Sequence, residues 1–110
     1  MRGGVFRFKP GSGRRGHEQQ GRRFAVVVQA RRFEHLSTWL IVPTSASARP
    51  AVHRPRIEVP GEGASVALCE AMVSIDPALR LGDTLGTLSY AEMAEIDDVL
   101  RILLDLQAVS

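Results

Sequence analysis

The apolar residues of this sequence come in short blocks, and the length of those blocks decides what the chain can build. The longest, Phe24–Val28, has five residues, and Trp39–Val42 has four. Continuous runs of this size, rich in β-branched residues and bounded by Gly, Pro and polar residues, read as buried strands. A membrane-spanning helix needs about 20 apolar residues in a row, so the sequence predicts no span. Val5–Phe8 reads as a further short strand and Thr84–Leu88 as a last one. Arg56–Val59 alternates charged and apolar residues, the pattern of a half-exposed strand. Ser65–Glu70 and Met72–Ile75 read as strand with a break near Glu70-Ala71, and Trp39–Val42 is expected to stop at Pro43.

Polar and glycine-rich stretches separate these blocks. The segment 11–21 has four glycines and no apolar period, so it reads as a long loop; in a small domain such loops usually carry function or lack order. Arg31–Ser37 and Thr44–Arg54 read as further loops, and Pro60–Gly63 and Asp76-Pro77 as turns. Ser89 and Glu92 have the spacing of a capping box. Met93, Ile96, Val99, Leu100, Leu103 and Leu104 follow at three-and-four spacing, which predicts one helix with an apolar stripe against the sheet. Asp97 and Arg101 are spaced for an i,i+4 ion pair on that helix. The sum is a mainly β, α+β chain: a small, strongly bent β-barrel closed by a C-terminal helix, with residues 1–110 as a single domain.

Charge divides the chain. Residues 1–56 hold twelve basic and two acidic side chains, a net +10, whereas residues 57–110 hold two basic and ten acidic ones, a net −8. Such a split predicts a surface that faces a polyanion. Thirteen of the fourteen basic residues are arginine, whose planar fork binds phosphate oxygens in pairs and stacks on bases. The single Cys69 has no intrachain disulfide partner, and the opening residues lack the apolar stretch of a secretory signal. Both fit a cytoplasmic protein. One cysteine and three histidines argue against a structural zinc site.

The run Gly16-His17-Glu18-Gln19-Gln20-Gly21-Arg22-Arg23-Phe24-Ala25-Val26-Val27-Val28 resembles the signature of the MazF/Kid/PemK toxins, the ribonucleases of bacterial toxin–antitoxin pairs. Four further segments resemble the same family in order: Arg2-Gly3 with Val5-Phe6, Val42-Pro43-Thr44-Ser45, Leu68-Cys69-Glu70 through Ser74-Ile75-Asp76, and Arg80-Leu81-Gly82 through Gly86-Thr87-Leu88-Ser89. The resemblance implies an SH3-like barrel with a C-terminal helix, assembled as a homodimer. It implies cleavage of single-stranded RNA without a metal or other cofactor, leaving a cyclic phosphate and a free 5′-hydroxyl. A cognate MazE-like antitoxin with an acidic tail is the implied partner.

Cleavage through the 2′-hydroxyl needs a base, an acid for the departing oxygen, and positive charge or donors at the crowded phosphorus. The resemblance puts Arg23 at the catalytic arginine and Ser45 at the catalytic threonine, with Thr44 beside it as the other candidate hydroxyl. His17, in the glycine loop, is a candidate proton shuttle, since a solvent-open imidazole titrates near neutrality. Glu70 stands where many relatives carry an aspartate assigned as a base. Glu18, Gln19, Arg14, Arg15 and Arg22 are candidate RNA contacts. The chain departs from the family at Phe24, which replaces a proline, and at Leu68, Ala71 and Val73, which replace an arginine, a glutamine and a basic residue. Those losses predict an altered sequence preference or weak activity. They also keep open a catalytically weakened RNA-binding module. A CcdB-like gyrase poison is the other alternative, but the C-terminus lacks the Trp-Gly-Ile ending associated with that group.

Overall fold

Among the described residues of the computed structural model, 1–9 and 23–106, the chain forms seven strands and two α-helices. The strands are β1 (Gly4–Phe8), β2 (Phe24–Val27), β3 (Trp39–Ser45), β4 (Arg56–Val59), β5 (Gly63–Ala67), β6 (Val73–Ile75) and β7 (Leu81–Thr87). The helices are α1 (Pro77–Arg80) and α2 (Tyr90–Leu103). The sheet is antiparallel, in the order β4-β5-β3-β2-β1-β7, with β6 paired to β3 beside β5. The mainly β fold with a C-terminal helix is therefore the one the sequence predicts. The loop expected at 11–21 lies outside the described residues. No helix among the described residues is long and apolar enough to cross a membrane.

β2 explains why an unbroken apolar run was needed. It lies between β1 and β3, and its side chains alternate between two cores. Phe24, Val26 and Val28 join Val42, Ile57, Val59 and the helix residues Met93, Ile96 and Val99. Ala25 and Val27 join Ile41 and Ile75, with Phe6, Phe8 and Trp39 packed on the outside. Phe6 and Trp39 meet edge-to-face with ring centroids 6.5 Å apart, a favoured aromatic geometry. Trp39–Val42 is less buried than its run suggests, since Leu40 is exposed.

Pro43 does not stop β3. A mid-sheet proline removes a ladder donor, but Pro43 sits where β3 changes neighbours. Residues 39–41 pair with β6 and residues 44–45 with β5. In the gap the Pro43 carbonyl accepts the Leu68 N–H at 2.9 Å, and no donor is required of the proline. The break expected near Glu70 is a 3-10 turn at Cys69–Ala71, and Asp76 caps the short α1 through the Ala78 N–H. The free Cys69 is buried against the helix-side core, and burial pushes its thiol up to about 11. At the far side of the sheet, Gly86 has φ +139°, and a Cβ there would lie 3.2 Å from the Pro60 ring. A glycine lets β7 approach the turn that follows β4, which draws the two ends of the sheet together.

The capping box of α2 is present and does more than cap. Ser89 Oγ accepts the Glu92 N–H at 3.1 Å, and Glu92 Oε1 accepts the Ser89 N–H at 2.8 Å. Glu92 Oε2 also accepts the Glu58 N–H at 2.7 Å, tying the helix to the free edge of β4. Met93, Ile96 and Val99 are buried as expected, but Leu103 and Leu104 are exposed, because the stripe runs past the end of the sheet. The Asp97–Arg101 pair does not form. Asp97 is held by Arg2 instead, and Arg101 pairs with Asp98 at 2.8 Å.

Burial raises the Glu92 carboxyl, but the N–H groups of Ser89 and Glu58 outweigh it, and its pKa ends below the ordinary 4.5. A carboxyl lowered by folding adds stability that is complete above 4.5 and is lost as pH falls through the lower folded value. Glu92→Ala should cost about 1–2 kcal/mol at neutral pH, measured by urea unfolding. The gap between the variant and the natural chain should narrow as the acid range is entered.

Candidate functional site

Arg23 stands at the mouth of β2. Its carbonyl accepts the Phe8 N–H at 2.8 Å, so the backbone that carries its guanidinium is fixed by the first strand pair. Next to it, Phe24 fills the family's proline position with a ring that is 8% exposed, so the substitution serves the core. β3 runs antiparallel beside β2, with Ala25 opposite Pro43. This register brings Thr44 and Ser45 to the same end of the sheet as Arg23. Arg23, Thr44 and Ser45 line one hollow of about 330 Å³, together with Ser47, Ser65 and Glu62. That is the lower end of the size range of small-ligand sites, roughly 300–1,000 Å³.

The two hydroxyls in the hollow differ. Thr44 is 4% exposed, and its Oγ1 donates to the Phe24 carbonyl at 3.2 Å. Its proton is spent on holding β3 to β2. Ser45 is half-buried, and its Oγ accepts the N–H groups of Ser47 at 3.3 Å and Ala48 at 3.0 Å. It lies 3.4 Å from Ser47 Oγ. An oxygen that accepts two N–H bonds is a better donor of its own proton. Unlike Thr44, Ser45 at the end of β3 donates to no backbone carbonyl among the described residues, and its oxygen organises the loop that follows.

Glu70 is not brought to this hollow. It lies on the 3-10 turn after β5, beside Cys69, Met72 and the last turn of α2. Arg54 Nε and Nη2 both donate to its Oε2, at 2.9 and 2.7 Å. That bond, with further help from the positive charges of Arg54 and His53, holds the carboxyl below the usual range despite its slight burial. A lowered pKa makes a weaker base. His17, Glu18, Gln19, Arg14, Arg15 and Arg22 lie outside the described residues. Among the described residues no group of three or more His, Cys, Asp or Glu side chains could hold a metal ion. Ser47, Ser65 and Glu62 escaped the sequence reading. Only the strand register places them here, and no short motif contains them.

Solved structures share this bent antiparallel sheet capped by one helix. The chain superposes with a TM-score of 0.77 on a mycobacterial endoribonuclease solved in complex with its cognate antitoxin, over 99% of this chain and 98% of that one, at 21% identity. MazF from Deinococcus radiodurans gives 0.77 over 96% of each chain, at 22% identity. The Mycobacterium tuberculosis toxin MazF-mt6 gives 0.75 over 96% of this chain and 99% of that one, at 16% identity.

Residues 1–104 match the family described as PemK-like, MazF-like toxins of type II toxin–antitoxin systems, and the chain belongs to that family. A curated relative from Mycobacterium tuberculosis strain H37Rv, Rv3098A, provisionally named a toxin, is 39% identical over 97 residues, covering 88% of this chain and 90% of its own.

The division of labour between the hydroxyls has a stability signature. Thr44→Val should cost about 1–2 kcal/mol in urea unfolding, because it strips a buried carbonyl of its donor. Ser45→Ala leaves its N–H partners open to water and should cost about 0.5 kcal/mol or less.

Proposed function

We propose that this toxin is an endoribonuclease that cuts single-stranded RNA at the hollow shared by Arg23 and Ser45. The observation that supports it is the convergence of a guanidinium, anchored at a strand mouth, with a proton-bearing hydroxyl in one nucleotide-sized space. In this reading the 2′-oxygen attacks the neighbouring phosphorus as its proton leaves to a base. The bond to the 5′-oxygen breaks, and that oxygen takes up a proton. The products are a 2′,3′-cyclic phosphate and a free 5′-hydroxyl. Arg23 neutralises the charge that builds on the crowded phosphorus, a task for which its planar fork is suited. Ser45 donates to a phosphate oxygen. His17, from the sequence segment that precedes Arg23, moves the proton. Glu18, Gln19, Arg14, Arg15 and Arg22 hold the RNA, the arginines through phosphates and with little sequence information. No step is assigned to Glu70 at the scissile phosphate. The basic surface of the first half of the chain suits the acidic tail of an antitoxin as well as RNA, and the reading includes a homodimer in the cytoplasm.

The purified protein should cut a long mixed-sequence transcript at a short motif, at the same rate with and without EDTA. Arg23→Ala should lower kcat/KM by about 10²–10³, the usual effect of removing one group that stabilises a charged transition state. Ser45→Ala should be slower than Thr44→Ser. Folded protein that leaves such RNA intact at low salt would overturn the reading. Inhibited supercoiling with intact RNA would favour a gyrase poison instead.

A further inference from the structure

Ser45 is not the last polar group on its face of the sheet. β5 lies between β3 and β4, and Val66 pairs with Ser45 on one side and Arg56 on the other. Opposed residues of antiparallel strands share a face, so Ser45, Val66 and Arg56 form one row across three strands. Two strand spacings separate the backbones of Ser45 and Arg56, about 10 Å. The β4–β5 ladder continues one step further, where the Ala67 N–H donates to the Pro55 carbonyl at 2.9 Å. Arg54 comes two residues before Arg56, within about 7 Å along the chain, in a turn closed by its bridge to Ala51. On β4 the exposure alternates to match, with Arg56 and Glu58 exposed and Ile57 and Val59 in the core, while Val66 between Ser45 and Arg56 is itself buried.

A second hollow of about 370 Å³ lies over this row, with Arg56 in its lining. It shares Ala46, Ala64 and Ser65 with the hollow of Arg23 and Ser45, so the two adjoin, and Glu58 is also in its lining. The carboxylate of Glu92 in its wall is committed to the N–H groups of Ser89 and Glu58. Among the described residues no carboxylate pairs with Arg56. Arg54 is different: its guanidinium is occupied by Glu70, and both side chains are about one-third exposed, 34% and 33%.

We propose that Arg56 and Arg54 extend the substrate path past the first hollow as a track for successive phosphates of single-stranded RNA, and that Glu70 is an internal competitor which a phosphate displaces from Arg54. The choice of RNA as ligand rests on the endoribonuclease reading above. An ion pair this exposed is weak, whereas a phosphate contact also releases counterions from the RNA. The exchange therefore runs toward RNA, at a cost in affinity set by Glu70.

The test is the affinity of the full chain for a 2′-O-methyl RNA oligonucleotide, which lacks the free hydroxyls needed for cleavage, between about 50 and 200 mM salt. Arg56→Gln and Arg54→Gln should each weaken binding roughly five- to tenfold at low salt. Each should flatten the slope of log affinity against log salt by about 0.7. Glu70→Gln should tighten binding about two- to fivefold, and the gain should vanish in the Arg54→Gln background. Asp83→Asn, the same charge change on β7, should leave affinity unaltered. Arginine variants with unaltered affinity and slope would overturn the track. A Glu70→Gln gain that survives without Arg54 would overturn the competition, since it would reflect general charge alone. Thermal melting and Arg54→Lys, which keeps the charge, separate misfolding from lost contact. If ordinary RNA is cut but Arg54 and Arg56 are indifferent, the track fails alone. If the track behaves as stated and ordinary RNA is not cut, the endoribonuclease reading fails alone. If the oligonucleotide is not bound at all, both fail.

Discussion

The fold depends on a strand buried on both faces. β2 has four residues and all are buried. Because its side chains alternate, it supplies one core beneath α2 and another beneath the ring of Phe6, Phe8 and Trp39. A polar residue at Val26 or Val27 would be left without partners in either core. The same strand fixes the site. Arg23 leaves the core at its mouth, and the pairing of β2 with β3 decides which hydroxyls sit beside the guanidinium. Core packing and the placement of charge are thus set by one register.

Among the described residues, ion pairs link the basic half of the sequence to the acidic half. Arg2 reaches Asp97, the N-terminal amine reaches Glu34, and Arg54 reaches Glu70. Two of these pairs join the basic half of the chain to the acidic half. They hold the N-terminus to α2 and the approach to β4 to the turn after β5. Such exposed pairs add little stability. Their larger effect is to choose which arginines stay available. Arg56 is exposed and unpaired among the described residues, whereas Arg2 and Arg54 are each about one-third exposed and each held by a carboxylate. Which described arginines remain unpaired is therefore decided by tertiary contacts, although the surplus of arginine is written in the first half of the sequence.

Local features were legible in the sequence, and features that depend on register were not. The alternation of Arg56–Val59, the unbroken β2 run and the box at Ser89 and Glu92 each have one physical solution, and the structure adopts it. Pro43 misled because its cost depends on which neighbour faces its missing N–H, and that neighbour is a gap between two strands. The helix stripe at Leu103 and Leu104 misled because periodicity reports a face and not where the sheet beneath it ends. At the site, the spacing and order of motifs pointed to Arg23 and the Thr44-Ser45 corner, and the two strands bring these together. The same motifs pointed to Glu70, whose partner Arg54 sits 16 residues earlier and has no place in a local pattern. The bond from Thr44 Oγ1 to the Phe24 carbonyl was also unreadable, since it depends on the β2–β3 register.

Cys69 gives this molecule a built-in gauge of its own breathing. With a thiol pushed up to about 11 and 1% of its surface exposed, it has neither the charge nor the access to react with an electrophile while α2 is seated. Leu100 and Met72 pack against the core that holds it, and Leu100, Leu103 and Leu104 at the end of α2 line a hollow beside it. Each alkylation event therefore records a moment when the packing of α2 against the Cys69 turn has opened. The rate of labelling converts into the free energy of undocking at a single joint, without any added probe.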